Sequence, residues 1–203
     1  MKLSTKPSST QIIVLLLGLV VACTASAHSG EGVGGGFAAG FSHPLGGADH
    51  MLAMIAVGIW GAVLNAPLIY LLPIAFPLLM VVGGILGIAG IPLPLVEIGI
   101  AASVIALGSA IAFNWRAPVA LAVAIVAFFG VFHGHAHGTE LPGAASPAAY
   151  AAGFVVATGG LHLIGIAIGL VKRWRHGEKA LRFCGGGIAA AGVWIIAGMP
   201  GAV

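Results

Sequence analysis

Beyond residue 43 the chain consists of long apolar runs separated by short breaks rich in Pro, Asn and Gly. The breaks fall at 65–67, 90–92, 114–118, 138–147 and 172–182. Because about 20 mostly apolar residues cross a bilayer as a helix, the runs predict six transmembrane helices, at about 44–64, 67–89, 94–113, 118–138, 147–171 and 181–199. The shortest connections predict antiparallel neighbours. The expected fold is therefore all-α, a polytopic membrane protein with one six-helix bundle.

The composition supports lipid as the main solvent of this protein. Only 6% of the residues are charged and 60% are hydrophobic, whereas a soluble domain carries about 25% charged residues. No basic stripe with interleaved aromatics is present, which argues against nucleic acid as a partner. No glycine-rich phosphate-binding loop is present either, so a bound nucleotide is not expected.

Residues 1–27 are typical of an export signal. Two lysines precede an apolar run, and the small residues at 25–27 supply a cleavage site. Cleavage there makes His28 the mature N-terminus, outside the cytoplasm. Two other interpretations stay open. Residues 20–23 resemble a lipoprotein processing site, which would leave a lipidated Cys23, and the segment could instead remain as an uncleaved first transmembrane helix.

The distribution of basic residues predicts the orientation independently of the signal. After residue 27, every Lys and Arg lies at position 116 or within 172–182. With residue 28 outside, these connections are cytoplasmic and the outer loops contain none, as the positive-inside rule requires. Residues 28–43 then form a glycine-rich outer segment, either a surface arm or a re-entrant piece, and 44–203 form the transmembrane domain.

The stretch FSHPLGGADHMLAM, residues 41–54, places costly ionisable groups in an apolar region. Pro44 suits the first turn of a helix, with His43 or the serine before it as the cap. Asp49 and His50 would then lie about 8 Å inside the outer boundary, at 1.5 Å per residue. His43 and His50 are predicted to share a helix face, and Met54 follows one turn later.

A second stretch, FHGHAHGTELP, adds three histidines and a carboxylate at residues 132–142. His133 and His137 are one helical turn apart, a spacing that lets two imidazoles bind one ion. Glu140 continues the same face. His135 points nearly opposite, unless the helix frays at its glycines. Both histidine stretches lie at one depth on one side of the membrane, which is the strongest functional signal in the sequence.

Four further polar residues stand alone. His162 lies well inside the fifth span, as a site residue or as a hydrogen-bond donor to a neighbouring helix. Glu97, near the outer start of the third span, is interpreted as part of a site or as a partner of a histidine. His176 lies among basic residues and is expected at the cytosolic surface. His28, as a free N-terminus, would offer an amine and an imidazole to Ni(II) or Cu(II).

The candidate ligands are imidazole and carboxylate, without thiolate. That set favours Ni, Co, Zn, Mn or Fe(II) over Cu(I). Paired carboxylates would offset the charge of a divalent ion as it loses water, and the membrane potential would drive such a cation inward. An outer, anionic, histidine-rich vestibule therefore fits an importer. Glycines at helical spacing, including Gly83, Gly87, Gly165 and Gly169, predict close approach of helix backbones.

The two histidine stretches, HPLGGADHMLAMIAVG (43–58) and FHGHAHGTELP (132–142), resemble the signature stretches of the HupE/UreJ family of nickel and cobalt permeases. The resemblance covers the whole mature chain. It implies a non-enzymatic secondary transporter of the bacterial inner membrane, with both mature termini periplasmic and no organic cofactor. The transported ion would be Ni(II), or Co(II), supplied to metalloenzymes such as hydrogenase or urease. The matching positions are His43, Asp49, His50, His133, His137 and Glu140, with Glu97 and His162 as further family-like polar positions.

Two alternatives from other classes stay open at this point. A membrane-embedded metalloenzyme could use the histidines to hold a catalytic di-metal site, although the sequence offers no separate substrate pocket or nucleophile. A metal sensor could bind the ion without transporting it. The sequence leaves the energy source and the oligomeric state undetermined.

Overall fold

The computed structural model describes residues 33–140 and 146–199, and every element in these ranges is helical. The predicted signal peptide, Cys23 and His28 lie outside the described residues. The elements are α1 (Val33–Gly46), α2 (Ala48–Leu64), α3 (Leu68–Ile88), α4 (Val96–Ala112), α5 (Val119–Thr139), α6 (Pro147–Gly169), a 3-10 turn (Leu170–Arg173) and α7 (Gly177–Ala197). The all-α prediction is confirmed.

Four helices are long and apolar enough to cross a membrane, namely Leu68–Ile88, Val119–Thr139, Ala148–Arg173 and Gly177–Ala197. A fifth candidate is the pair Gly36–Gly46 and Ala48–Leu64, which is bent by 82° at the break between its two helices. Helix α4 is apolar but has only 17 residues, about 25 Å at 1.5 Å per residue. The chain is thus a helical membrane protein with four or five candidate spans, whereas the sequence predicted six.

The start of the first predicted span is a correction. Pro44 does not begin a helix, because α1 runs through it to Gly46 and α2 begins only at Ala48. The chain breaks at Gly47, which has an extended backbone. Glycine has the weakest helix propensity of any residue but proline. The consecutive glycines at 46 and 47 end the helix here, and Pro44 does not. The serine proposed as a cap, Ser42, donates instead to the carbonyl of Ala39 within α1.

The glycine-rich segment before Pro44 is therefore a helix packed on the bundle. Helix α1 lies against α6 at Gly40 and Gly153, where an added Cβ would collide with the facing backbone of Tyr150 or Phe37. Such close approach between helices requires residues without side chains. The interface holds α1 beside the N-terminal half of α6, so that the residues after α1 enter the bundle at a fixed place.

The glycine pattern also fixes the position of α5. Gly83 and Gly87 of α3 face α5, and Gly130, Gly134 and Gly138 of α5 face α3, each at a distance that leaves no room for a Cβ. The same close contact joins α2 and α6 at Gly58 and Gly165. The expected glycine packing is confirmed for these helices. Of the three consecutive glycines in α7, Gly185 packs closely against α4, whereas Gly186 and Gly187 have no neighbour within 4 Å.

Basic side chains stabilise the helix ends at one end of the bundle. Arg116 donates to the carbonyl of Val63, and Lys172 donates to the carbonyl of Ala62 and, at 2.7 Å, to Asn65 Oδ1. Cations are favourable at helix C-termini because the last carbonyls carry a partial negative charge. The histidine stretches lie at the opposite end of α2, a 17-residue helix about 25 Å long. The bundle therefore has a basic end and a histidine-rich end.

Candidate metal site

The break at Gly47 places the two histidines of the first stretch around one histidine of the second. The ring centroid of His137 is 4.7 Å from that of His43 and 4.5 Å from that of His50. The expectation that His43 and His50 share a helix face is wrong, because they belong to different helices, α1 and α2. The 82° bend brings them together instead.

Helix α5 carries the second stretch without fraying. It remains helical to Thr139, so His133 and His137 lie on one face, and the ring centroids of His133 and His50 are 4.7 Å apart. His135 points away, as expected for an intact helix. Its Nε2–H donates to the carbonyl oxygen of Ile91 in the α3–α4 connection at 2.8 Å, and it has no ring contact with the other histidines among the described residues.

Asp49 orients the ring of His50. Asp49 Oδ1 accepts hydrogen bonds from the backbone N–H of His50 at 2.8 Å and from its Nδ1 at 2.9 Å. A carboxylate can only accept, so Nδ1 carries the hydrogen and the lone pair of His50 is on Nε2. Metal-binding histidines usually donate the hydrogen of their other ring nitrogen to a carboxylate or a carbonyl, and a carboxylate there raises the basicity of the ligand.

Ser103 of α4 orients the ring of His133. The single hydroxyl hydrogen of Ser103 is donated to the carbonyl of Ile100 at 2.6 Å. Its oxygen is therefore the acceptor in the 2.9 Å contact with His133 Nε2. The lone pair of His133 is then on Nδ1, in a side chain with no exposed surface.

Two overlapping groups of histidines result. The mouth group is His43, His137 and Glu140, whose ligand atoms all lie within 4.8 Å of one another. His43 Nε2 is 3.3 Å from Glu140 Oε2, and the Glu140 side chain is 59% exposed. The deep group is His50, His133 and His137, and it is defined by the ring contacts of His50 with the other two. Among the described residues only the mouth group brings all of its ligand atoms within 4.8 Å of one another. His137 belongs to both groups, since its ring contacts both His43 and His50.

The deep group holds ring nitrogens without partners. His50 Nε2, His133 Nδ1 and both nitrogens of His137 are buried and make no hydrogen bond to the described part of the chain. Buried polar atoms normally have a partner, because leaving them without one costs free energy. A divalent cation would use these lone pairs. Its charge would be offset by Asp49 and Glu140, the two carboxylates in direct contact with the histidines.

The remaining predicted residues are distributed around this cluster. His162 is 2% exposed, and its Nδ1–H donates to the Met54 carbonyl at 2.8 Å. The Met54 side chain is fully buried in the apolar core. Glu97 is exposed in the first turn of α4, and neither a hydrogen bond nor an ion pair to the described residues involves it. The expectation that it joins the site or pairs with a histidine is not met. His176 is exposed at the N-cap of α7, at the basic end as expected.

Sequence reasoning missed Ser103 and the aromatic residues around the cluster. The ring of Phe76 lies 5.2 Å from His133, and that of Phe154 lies 4.6 Å from His137, centroid to centroid. A serine or a phenylalanine in an apolar helix is too common to stand out in a sequence. The helical spacing of glycines in α3 and α6 was the one available signal, and it indicated only that these helices approach their neighbours closely.

The fold and the site together define a helical membrane protein with a cluster of mostly buried histidines at one end. Comparison with known proteins agrees. The profile of the HupE / UreJ protein family matches residues 14–195. The protein HupE of Rhizobium leguminosarum bv. viciae is 40% identical over 189 residues, which cover 93% of this chain and 98% of that protein. The chain belongs to the HupE/UreJ family. No solved structure matches it.

Proposed function

We propose that this chain is a secondary transporter that imports Ni(II), or Co(II), across the inner membrane through the mouth and deep groups. The observation that carries the proposal is the set of buried, unpartnered ring nitrogens on His50, His133 and His137, with Asp49 and Glu140 beside them. A permanent structural role would leave these atoms unsatisfied, whereas a transported cation satisfies them each time it passes.

The donor set supports a borderline divalent ion. Imidazole nitrogens suit Ni, Co, Zn and Fe(II), while carboxylates add charge and affinity for hard cations. The described residues contain one cysteine, Cys184 on α7, which lies outside both groups, so no thiolate biases the site toward Cu(I). Among these ions, family membership favours nickel and cobalt as the substrate.

The placement of charge supports the proposed direction of transport. The basic end carries every Lys and Arg that follows residue 27, and such residues concentrate on the cytoplasmic side. The histidine-rich end then faces the periplasm, and α2 to α7 supply the six spans, of which α2 and α4 are the shortest at 17 residues each. The mature N- and C-termini are then periplasmic. A resting potential favours inward movement of a divalent ion by roughly 4–5 kcal/mol per 100 mV.

The test is metal accumulation by purified protein in sealed lipid vesicles, with Ni, Co, Zn and Mn in competition. We expect Ni(II) or Co(II) to accumulate inside, and we expect His50→Ala to abolish accumulation at an unchanged level of inserted protein. His176→Ala is the matched control, because that histidine is exposed at the basic end. Binding without accumulation by the unaltered protein would contradict the proposal and favour a sensor or a metalloenzyme.

A further inference from the structure

His162 is held so that one ring nitrogen is left for a ligand. The side chain is 2% exposed. Because a carbonyl oxygen only accepts, the 2.8 Å contact with Met54 assigns the hydrogen to Nδ1 and the lone pair to Nε2. That Nε2 atom is buried and has no partner in residues 33–140 and 146–199. The hydrogen bond to Met54 therefore accounts for only one of the two ring nitrogens of His162.

A second unpartnered polar group lies one turn away on the same helix. Thr158 is 1% exposed, and its Oγ1 is also without a hydrogen-bond partner among the described residues. Residues four apart in a helix share a face and have Cβ atoms about 5–6 Å apart. Two orphaned polar atoms this close, in the interior of a membrane protein, indicate a ligand shared between them rather than two separate defects.

His162 lies deeper in the bundle than His50. His162 bonds to Met54, which is one helical turn beyond His50 toward the basic end. A groove of about 310 Å³ between α3, α5 and α6 is lined by both His137 and Thr158. The same groove therefore borders the outer ligand groups and the buried threonine.

The ring of Phe76 separates His162 from the deep group. It is fully buried, and its centroid lies 5.2 Å from that of His133 and 5.6 Å from that of His162. Phe76 lies on α3 between Pro73 and Pro77. Each proline removes a backbone N–H from the helix and its hydrogen bond to the residue four before. The turn that carries Phe76 is thus held by fewer backbone bonds than an ordinary helical turn.

We propose that His162 Nε2 and Thr158 Oγ1 form a second, deeper station for the divalent cation, which the ion reaches from the deep group when the ring of Phe76 moves aside. The inference rests on the proposed function, since a station along a route has meaning only if the ion crosses. It assigns Phe76 as the barrier between two ligand sets and the hydroxyl of Thr158 as a ligand.

The test compares binding with transport in the same variants. In His162→Asn, the side-chain amide can still donate to the Met54 carbonyl but leaves nothing at the position of Nε2. We expect this variant to fold and to bind Ni(II) at the outer groups, measured by titration calorimetry, while its uptake into vesicles falls about tenfold or more, as for loss of a metal ligand or its partner. Uptake equal to that of the unaltered protein would reduce His162 to a structural role and overturn the station.

Two further variants keep the proposal falsifiable if His162→Asn does not fold. Thr158→Val keeps the shape and removes the hydroxyl, so uptake should fall severalfold while Ni(II) binding at the outer groups is kept. Phe76→Leu makes the barrier smaller, so the initial uptake rate should rise. Unchanged rates in both would overturn the proposal. Failure of the unaltered protein to accumulate metal would instead overturn the proposed function, and the station with it, so the two failures are distinguishable.

Discussion

The Nε2–H of His133 donates to the hydroxyl oxygen of Ser103 across 2.9 Å, between helices α5 and α4. This bond fixes which ring nitrogen is left for a ligand. Three other buried or half-buried histidines are held in the same manner: His50 by Asp49, His135 by the Ile91 carbonyl and His162 by the Met54 carbonyl. His137 differs, because both of its nitrogens lack a partner among the described residues. It is thus free to serve the mouth group and the deep group in turn.

The charge of Asp49 is predicted to matter beyond its hydrogen bond. Asp49→Asn keeps an oxygen that can accept from His50 Nδ1 but removes the negative charge, and Asp49→Ala removes both. We expect Asn to weaken Ni(II) binding about 10- to 100-fold, as for other changes to the hydrogen-bond partner of a metal ligand. We expect Ala to abolish accumulation at an unchanged level of inserted protein. Titration of metal into purified variants measures the effect. Equal affinities for the Asn variant and the unaltered protein would show that the charge is not used.

Replacing His137 is predicted to weaken metal binding, whereas replacing His135 on the same helix is predicted to leave it unchanged. His137→Ala removes the ligand common to both groups, so Ni(II) binding should fall at least about tenfold, as for loss of one good ligand. His135→Asn is the matched control, since His135 contacts the Ile91 carbonyl and not the other histidines. It should bind metal like the unaltered protein. A comparable loss in both variants would contradict the assignment of His137.

Ser103 is predicted to act through His133. Ser103→Ala removes the acceptor that keeps hydrogen on Nε2, so the ring can take the other tautomer, and metal affinity should fall about 10- to 100-fold. Ser103→Thr keeps the hydroxyl and should bind metal as tightly as the unaltered protein. The visible spectrum of bound Co(II) is the readout, because it reports ligand geometry and would not change if Ser103 only filled space. Identical spectra for Ala and Thr variants would refute the role.

The contact between α3 and α5 is predicted to tolerate no side chain at Gly134. A Cβ there would collide with the backbone carbonyl of Met80, so Gly134→Ala should destabilise the protein by about 1–3 kcal/mol, as for other overpacked sites. Gly187→Ala is the control, because nothing lies within 4 Å of that position. Thermal unfolding in detergent compares them. Melting temperatures that are equal in both variants would mean that the two helices can separate without penalty.

Much of the fold could be predicted from the sequence because its signals are local. Apolar runs of helix length, interrupted by prolines and asparagines, gave helices α2 to α7 at nearly their observed positions. The confinement of Lys and Arg after residue 27 to position 116 and to 172–182 predicted one basic end. The first helix was harder, since Pro44 and the glycine pair at 46–47 are both plausible breaks. Which of them ends the helix depends on how α1 packs against α6.

By itself the sequence determined the kind of protein and the residue types of its site, because lipid excludes charged groups unless they have a use. Only the tertiary structure decided which of those residues meet. It joined His43 to His137 through the bend at Gly47, added Ser103 and Phe76, and left Glu97 at the surface. These outcomes depend on how each helix is rotated and how closely it approaches its neighbours. Glycine contacts between helices set both quantities, and no single helix encodes them.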